Sequence, residues 1–327
     1  MPLPGEFALI AKHFAPLADV PAALGLADDA ALLMPPAGRE LVLAADAMIG
    51  GVHFLDDDPS DTIGRKLLRT NLSDLAAMGA EPLGFLMTVA LPKGFDGAWL
   101  RGFAAGLGED RRAFAVPLLG GDTVSTPGPI ALSLTILGHV APGRALRRAG
   151  ASVGDAVWVS GTLGDAALGL AALRGRLKRL APRHVGFLVE RYRLPEPRLA
   201  LGQALVGLAS AGLDVSDGLV QDVGHLARAA GCAAALRLAD LPLSEAARAA
   251  LAADASLLGL PAVGGDDYEL AFTAPAAAAP AIEAAGLALG VPLARVGALC
   301  AGEAGEVALL DEAGAPMRLP AAGWSHF

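Results

Sequence analysis

Two carboxylates and a hydroxyl crowd one short stretch, residues 213–222, with the sequence LDVSDGLVQD. Leu213 to Asp217 alternates apolar and polar, the period of a short strand with one face toward a core and the other toward a site. Asp214, Ser216 and Asp217 gather at the strand's end, and Gly218 permits a sharp change of direction there. Leu219, Val220, Val223, Leu226 and Ala227 then fall at helical spacing, and Gly231 supplies a stop. Oxygen ligands therefore meet free backbone N–H groups at a strand-to-helix junction, which suits a magnesium ion with a phosphate attached. An Asp N-cap followed by a turn accounts for this stretch equally well. What separates the two readings is that the arrangement recurs.

Asp28 and Asp29 stand at the mouth of an apolar run, and Asp46 ends the apolar strand predicted over 41–46. A glycine crossing, Gly50-Gly51-Val52-His53-Phe54, then carries a histidine. The spacing predicts one long helix over 61–79, capped by Asp61 and ended by Gly79, with Asn71 and Asp74 on a face beside its apolar stripe. Gly120-Gly121-Asp122 and Gly264-Gly265-Asp266-Asp267 are two further glycine-then-acid junctions. Alone, each acid is explained by a turn, a cap or an ion pair. Together Asp28, Asp29, Asp46, Asp74, Asp122, Asp214 and Asp217 form a pattern, since most end an apolar run or adjoin a buried helix face. Gathered in one cleft, so many like charges are tolerable only around cations. Magnesium binds through a few carboxylates plus substrate phosphates, so the acids suggest several ions bridging a nucleotide tail. Phosphoryl transfer requires that arrangement, because positioning and charge neutralisation do most of its work. No P-loop, dinucleotide fingerprint or protein-kinase motif is present, so any ATP is handled by metal ions and glycine turns.

The elements that must position these residues follow from composition and period. The chain has 327 residues, 54% hydrophobic and 18% charged, enough to bury two cores. Its formal charge of −9 argues against nucleic acid as the main partner. No apolar stretch reaches the length of a membrane span, no signal peptide is visible, and two cysteines are too few for a disulfide framework. A cytoplasmic enzyme without a membrane partner is expected. Residues 6–17 read as an amphipathic helix with Phe7, Ile10, Ala11 and Phe14 inward. Strands are predicted over 83–91, 116–119, 130–140, 155–161, 232–238, 271–273, 293–299 and 306–310. Helices are predicted over 98–113, 164–174, 183–192, 198–209, 244–253 and 276–285. Strands and helices alternate in both halves, so the class is α/β or α+β. The texture changes over 141–154, where Arg144, Arg147 and Arg148 either solvate a linker or supply counter-charge to an anion. The boundary is drawn there, giving domains 1–142 and 143–327.

The motifs GLADDAALL, NLSDLAAMGAEP, GGDTV, the arginine stretch before SVGDAVWVSGTLGDAALGL, LDVSDGL, GGDDYELAF and GWSHF, in that order, resemble the thiamine-monophosphate kinase family. That family belongs to the aminoimidazole-ribonucleotide-synthetase-like superfamily of ATP-using proteins. The resemblance implies a two-domain α/β and α+β fold. Its N-terminal mixed sheet with helices would bind ATP and magnesium and pair across a homodimer, and a C-terminal α+β domain would complete the ATP and substrate cleft. It implies ATP-dependent phosphorylation of thiamine monophosphate to thiamine diphosphate, by direct in-line transfer with several Mg2+ ions. Asp28, Asp46, Asp74, Asp122, Asp214 and Asp217 would hold the ions. Gly121, Asp122, Arg148 and Ser216 would contact ATP, and Asp122, Arg148 and Asp217 would be catalytic. His53, Asp266 and Trp324 would line the substrate site. Asp266 stands where the family usually has Glu, Ala45 where it often has Thr, and Ala27 where it has Gly. Aminoimidazole ribonucleotide synthetase, a phosphohydrolase and a non-catalytic nucleotide- or metal-binding dimer are the rival readings, and the GWSHF tail favours the kinase.

Overall fold

A computed structural model describes residues 5–319 and 322–325. The chain divides into two compact units, Met1–Leu75 with Ala80–Gly143, and Ala76–Gly79 with Arg144–Phe327. Among the described residues, no helix is long and apolar enough to cross a membrane.

The first unit opens with α1 (Glu6–Leu9), which runs into a π turn over Ile10–Phe14 and a 3-10 turn over Ala15–Leu17. The wider π turn shifts the phase of the side chains from the 3.6-residue period. Leu9, Phe14 and Leu17 are therefore buried, while Phe7, expected inward, is 83% exposed. Four strands follow: β1 (Glu40–Ile49), β2 (Glu81–Pro92), β3 (Leu118–Thr126) and β4 (Ala131–Val140). They form one mixed sheet in the order β1-β4-β2-β3, parallel only between β2 and β3. Helices α2 (Ser60–Ala77) and α3 (Gly97–Ala113) complete the unit. Asp61, expected to cap α2, lies inside its first turn, because the helix already begins at Ser60. Ile63, Leu67, Leu68, Leu72 and Leu75 of α2 are buried, and Leu75 lies over Gly138 of β4. The helices clasp one another through buried Asp110 of α3, which accepts from Arg65 Nε at 3.0 Å and Arg69 Nη2 at 3.0 Å. Gly106 of α3 passes so close to α2 that a side chain there would run into the Asp61 carbonyl.

In the second unit a six-stranded mixed sheet runs β10-β7-β9-β5-β8-β6. Its strands are β5 (Ala156–Ser160), β6 (Ala211–Asp214), β7 (Ala233–Arg237), β8 (Leu270–Ala274), β9 (Leu293–Cys300) and β10 (Val307–Leu310), parallel only between β7 and β10. Its helices are α4 (Asp165–Leu173), α5 (Pro182–Arg193), α6 (Leu199–Leu205), α7 (Leu219–Ala229), α8 (Glu245–Ala253), α9 (Leu260–Val263) and α10 (Ala279–Leu289). The helix expected over 198–209 stops at Leu205. The alternation over 213–217 does not give a half-exposed strand. Strand β6 is buried along its whole length and ends at Asp214. Its Leu213 packs with Val157 of β5, Val223 and Leu226 of α7 and Val296 of β9 in one apolar core.

The α2–α3 contact is tight enough to test. Gly106→Ala is expected to lower unfolding free energy by about 1–3 kcal/mol, the usual cost of overpacking. Urea unfolding measures it, and wild-type stability would show that the helices part without penalty.

Candidate functional site

The second unit gathers most of its predicted residues into one place. Past the ends of β6 and β8 the pairing continues by backbone hydrogen bonds. The Val215 N–H donates to the Glu269 carbonyl at 2.8 Å, the Tyr268 N–H to Val215 at 2.9 Å, and the Asp266 N–H to Ser216 at 2.9 Å. The LDVSDG and GGDDYE loops, about fifty residues apart in sequence, are thus laced together. Asp266 and Tyr268 take left-handed backbone conformations, with φ of 71° and 51°. Beneath them the fully buried carboxylate of Glu269 accepts from Arg191 at 2.8 Å, from Arg198 at 2.7 and 2.6 Å and from Ser160 Oγ at 2.6 Å. Asp267, also buried, accepts from the N–H groups of Gly164 and Ala166 at 2.5 and 3.0 Å and so closes the start of α4.

Asp214 is buried and Asp217 half-buried, and both lie close enough to Asp222 to be felt by it. Burial first, then the charges of Asp214 and Asp217, push the Asp222 carboxyl up to about 8. Its Oδ2 accepts from the N–H groups of Asp217 and Gly218, each at 3.1 Å, and holds the turn shut. Arg148 is exposed and stands near His225 of α7. Burial, then Arg148 and Arg228, lower the His225 pKa, with Asp217 opposing them. Trp324, 53% exposed, is tied to the same turn by its N–H, which donates to the Asp217 carbonyl at 2.9 Å. His326 and Phe327 of the GWSHF tail lie outside the described residues.

The first unit holds its predicted residues further apart. Half-buried Asp46 of β1 donates its N–H to Asn71 Oδ1 at 3.2 Å, and Asp74 lies one helical turn beyond Asn71 on α2. His53 accepts from the Ile49 N–H at Nδ1, 2.9 Å, which fixes the ring in the turn after β1, and buried Lys66 donates to its carbonyl at 3.2 Å. Gly121 and exposed Asp122 are on β3, where a side chain at Gly121 would strike the Met87 carbonyl. Asp122 accepts from the Thr123 N–H at 2.8 Å. Asp28 is exposed, just after the segment Pro21–Leu26 that packs against β3. Asp46 pairs with Leu134, Leu134 with Met87 and Met87 with Gly121, so Asp46 and Gly121 share one row across the sheet. Three strand spacings, roughly 14 Å, separate them. Asp46 and Asp122 therefore belong to opposite edges of this sheet. Among the described residues, no three Asp, Glu, His or Cys side chains stand in an arrangement that would hold a metal ion unaided.

Sequence reasoning missed Asp222, Gln221 and His225. An acid in the first turn after a strand-ending Ser-Asp-Gly carried a signal for Asp222, since such residues reach back to unsatisfied N–H groups. Gln221 stands one turn after Asp217, a spacing that suits an amide–carboxylate bond, but its second partner, Trp324, and the Arg148 that acts on His225 lie far off in sequence.

Asp267 yields a pH prediction. Burial pushes its carboxyl up to about 8, against the pull of the two N–H donors. Between the unfolded value near 3.8 and about 8 the folded chain holds a proton that the unfolded chain has released. Stability should therefore fall as pH rises through that window and level off above it. Asp222 contributes with the same sign, so Asp267→Asn is expected to remove about half of the slope. Urea midpoints from pH 5 to 9 test this, and an undiminished slope in the variant would refute the assignment.

The chain as a whole is similar to known proteins. The AIR synthase related protein, N-terminal domain, family matches residues 27–140. Thiamine-monophosphate kinase of Caulobacter vibrioides is 44% identical, over 99% of this chain and 91% of its own. The crystal structure of thiamine-monophosphate kinase from Stenotrophomonas maltophilia K279a is similar with a TM-score of 0.82 at 38% identity, covering 94% of this chain and 98% of its own. AaThiL complexed with AMPPCP and TMP is similar with a TM-score of 0.78 at 28% identity, covering 92% of this chain and 91% of its own.

Proposed function

The chain belongs to the thiamine-monophosphate kinase family of enzymes, and from that premise we propose direct, magnesium-assisted transfer of the ATP γ-phosphoryl group to thiamine monophosphate. AaThiL complexed with AMPPCP and TMP supports the choice of substrates. Within this chain, the observation that carries the reading is the convergence of Asp214, Ser216, Asp217, Asp266 and Trp324 on two laced loops.

In the step proposed, a phosphate oxygen of thiamine monophosphate forms a bond to the γ-phosphorus as the bond to the bridging oxygen of ADP breaks. The attacking oxygen is already ionised at neutral pH, so no general base is required. The task is to hold two anions together. Arg148 gives positive charge to the ATP phosphates, while Gly121, Asp122 and Ser216 seat the nucleotide. His53 and Asp266 line the acceptor site, and Trp324 stacks on an aromatic ring of the substrate. Asp28, Asp46, Asp74, Asp122, Asp214 and Asp217 would hold the metal ions, and Asp122, Arg148 and Asp217 would be the catalytic residues. The donor set fits magnesium, being hard carboxylate oxygen throughout. Burial raises Asp222 most, and the charges of Asp214 and Asp217 that add to it are of the kind a cation relieves. Magnesium, when bound, would neutralise phosphate charge.

Mixing ATP, magnesium and thiamine monophosphate should give ADP and thiamine diphosphate in equal amounts. Asp46→Asn and Asp122→Asn are each expected to fold normally and to lose turnover. ADP alone would indicate a hydrolase, and normal magnesium-dependent ADP formation by both variants would remove the metal role.

The chain also forms a homodimer through the first unit. Leu41 and Leu43 of β1, Leu86 of β2 and Val124 of β3 share one sheet face and are 44, 62, 40 and 44% exposed. An apolar sheet face of this kind is usually covered by a partner. Leu43→Lys should halve the mass seen by light scattering. A wild-type monomer at micromolar concentration would contradict the dimer.

A further inference from the structure

We infer that Gln221 is a positioning residue that clasps the tail carrying Trp324 to the turn carrying Asp217. Grip on the thiamine end and orientation of a metal-binding carboxylate then depend on one amide. The inference rests on the kinase reading.

Gln221 lies in the first turn of α7, directly after the acidic turn. Its Nε2 donates to Asp217 Oδ2 at 3.0 Å and to the Trp324 carbonyl at 2.9 Å, so both protons of the amide are used. The Trp324 N–H returns a hydrogen bond to the Asp217 carbonyl at 2.9 Å. Gly323 sits so tightly in this seat that a Cβ would stand 2.6 Å from the Asp217 carbonyl oxygen and 2.8 Å from the Gln221 side chain. With its backbone pinned on both sides, Trp324 is still 53% exposed, and an indole held in this way suits stacking on a flat ligand.

The choice of a neutral amide has a physical reason. A Lys or Arg at 221 would pair with Asp217 and cancel the charge a cation needs. A Glu would repel Asp217 and could not donate to the Trp324 carbonyl. Gln donates to both oxygens and leaves the charge of Asp217 in place. It also fixes which oxygen of Asp217 is engaged, the role that outer hydrogen bonds play around metal ligands.

Two variants of the full chain test the clasp. Gln221→Met keeps the length of the side chain and deletes both donors, and Gln221→Glu sets a second carboxylate beside Asp217. Acrylamide quenching of Trp324 emission, taken as the difference between each protein and its Trp324→Phe counterpart, reads the tail without reference to turnover. Both variants should show increased quenching with melting temperatures close to wild type. The KM for thiamine monophosphate should rise about fivefold in Gln221→Met, the loss of one net hydrogen bond, and more in Gln221→Glu. The magnesium concentration needed for half-maximal rate should also rise in Gln221→Met, because Asp217 loses its orienting donor, whereas a variant that merely loosened the fold would lose kcat at constant KM. Unchanged quenching in both variants would overturn the clasp, as would an unchanged KM. A wild-type chain that makes no thiamine diphosphate would instead overturn the kinase reading, and quenching would still decide whether the tail is held by Gln221.

Discussion

Buried Glu269 is the fixed point of the second unit. Its carboxylate has no exposure and is met by two guanidinium groups and a hydroxyl, so ionisation is compensated on every side. Its carbonyl receives the Val215 N–H, and that bond carries the β6–β8 pairing beyond the last strand residues to the acidic loops. Arg191 and Arg198, on and beside two helices, thereby set the height at which Ser216, Asp217 and Asp266 emerge. Any shift of Glu269 would leave charge buried without a partner, which is why the loops above it hold one register.

Much of this was legible in sequence, for a definable reason. Asp214, Ser216 and Asp217 announce themselves because polar residues at the end of an apolar run need an explanation. The helix that follows them comes from period alone, and α7 lies where the spacing puts it, whereas β6 spans 211–214 and not the 213–217 that alternation suggests. Period failed where its premise failed. A 3.6-residue repeat carried through Ile10–Phe14 turns Phe7 inward, but that segment is a π turn and Phe7 faces solvent. Gln221 was illegible for a different reason. In a first helical turn it looks like a solvated position, and its bond to Asp217 becomes a clasp only through Trp324, about a hundred residues later.

Strand β1 shows how an apolar run can mislead about burial. Leu41 to Asp46 reads as a strand covered on both sides, yet only Val42 and Met48 are buried within β1. Helices cover the side of the sheet that carries Ile136 and Phe85, and the side with Leu41 and Leu43 is left exposed. The same sheet order explains why Asp46 and Asp122, so similar in sequence setting, do not meet in this unit. Two strands lie between theirs. Proximity of acids cannot be inferred from repetition of a junction motif, because the motif fixes the end of a strand and leaves its neighbours open.

Asp266 unites local strain with the chemistry proposed for it. Its φ of 71° lies in the left-handed region, where a residue with a Cβ normally pays about 1–2 kcal/mol. Asp enters that region more readily than Glu, because its short carboxylate can reach nearby backbone groups. The Asp266 N–H is already committed to Ser216, so the backbone cannot relax without unlacing the two loops. An Asp here eases that conformation relative to a Glu, and the substrate contact proposed for it would be made with one methylene less of reach. The laced loop supplies the rest of the aim. A short side chain on a rigid backbone can replace a longer one on a softer backbone, provided Glu269 holds the loop from below.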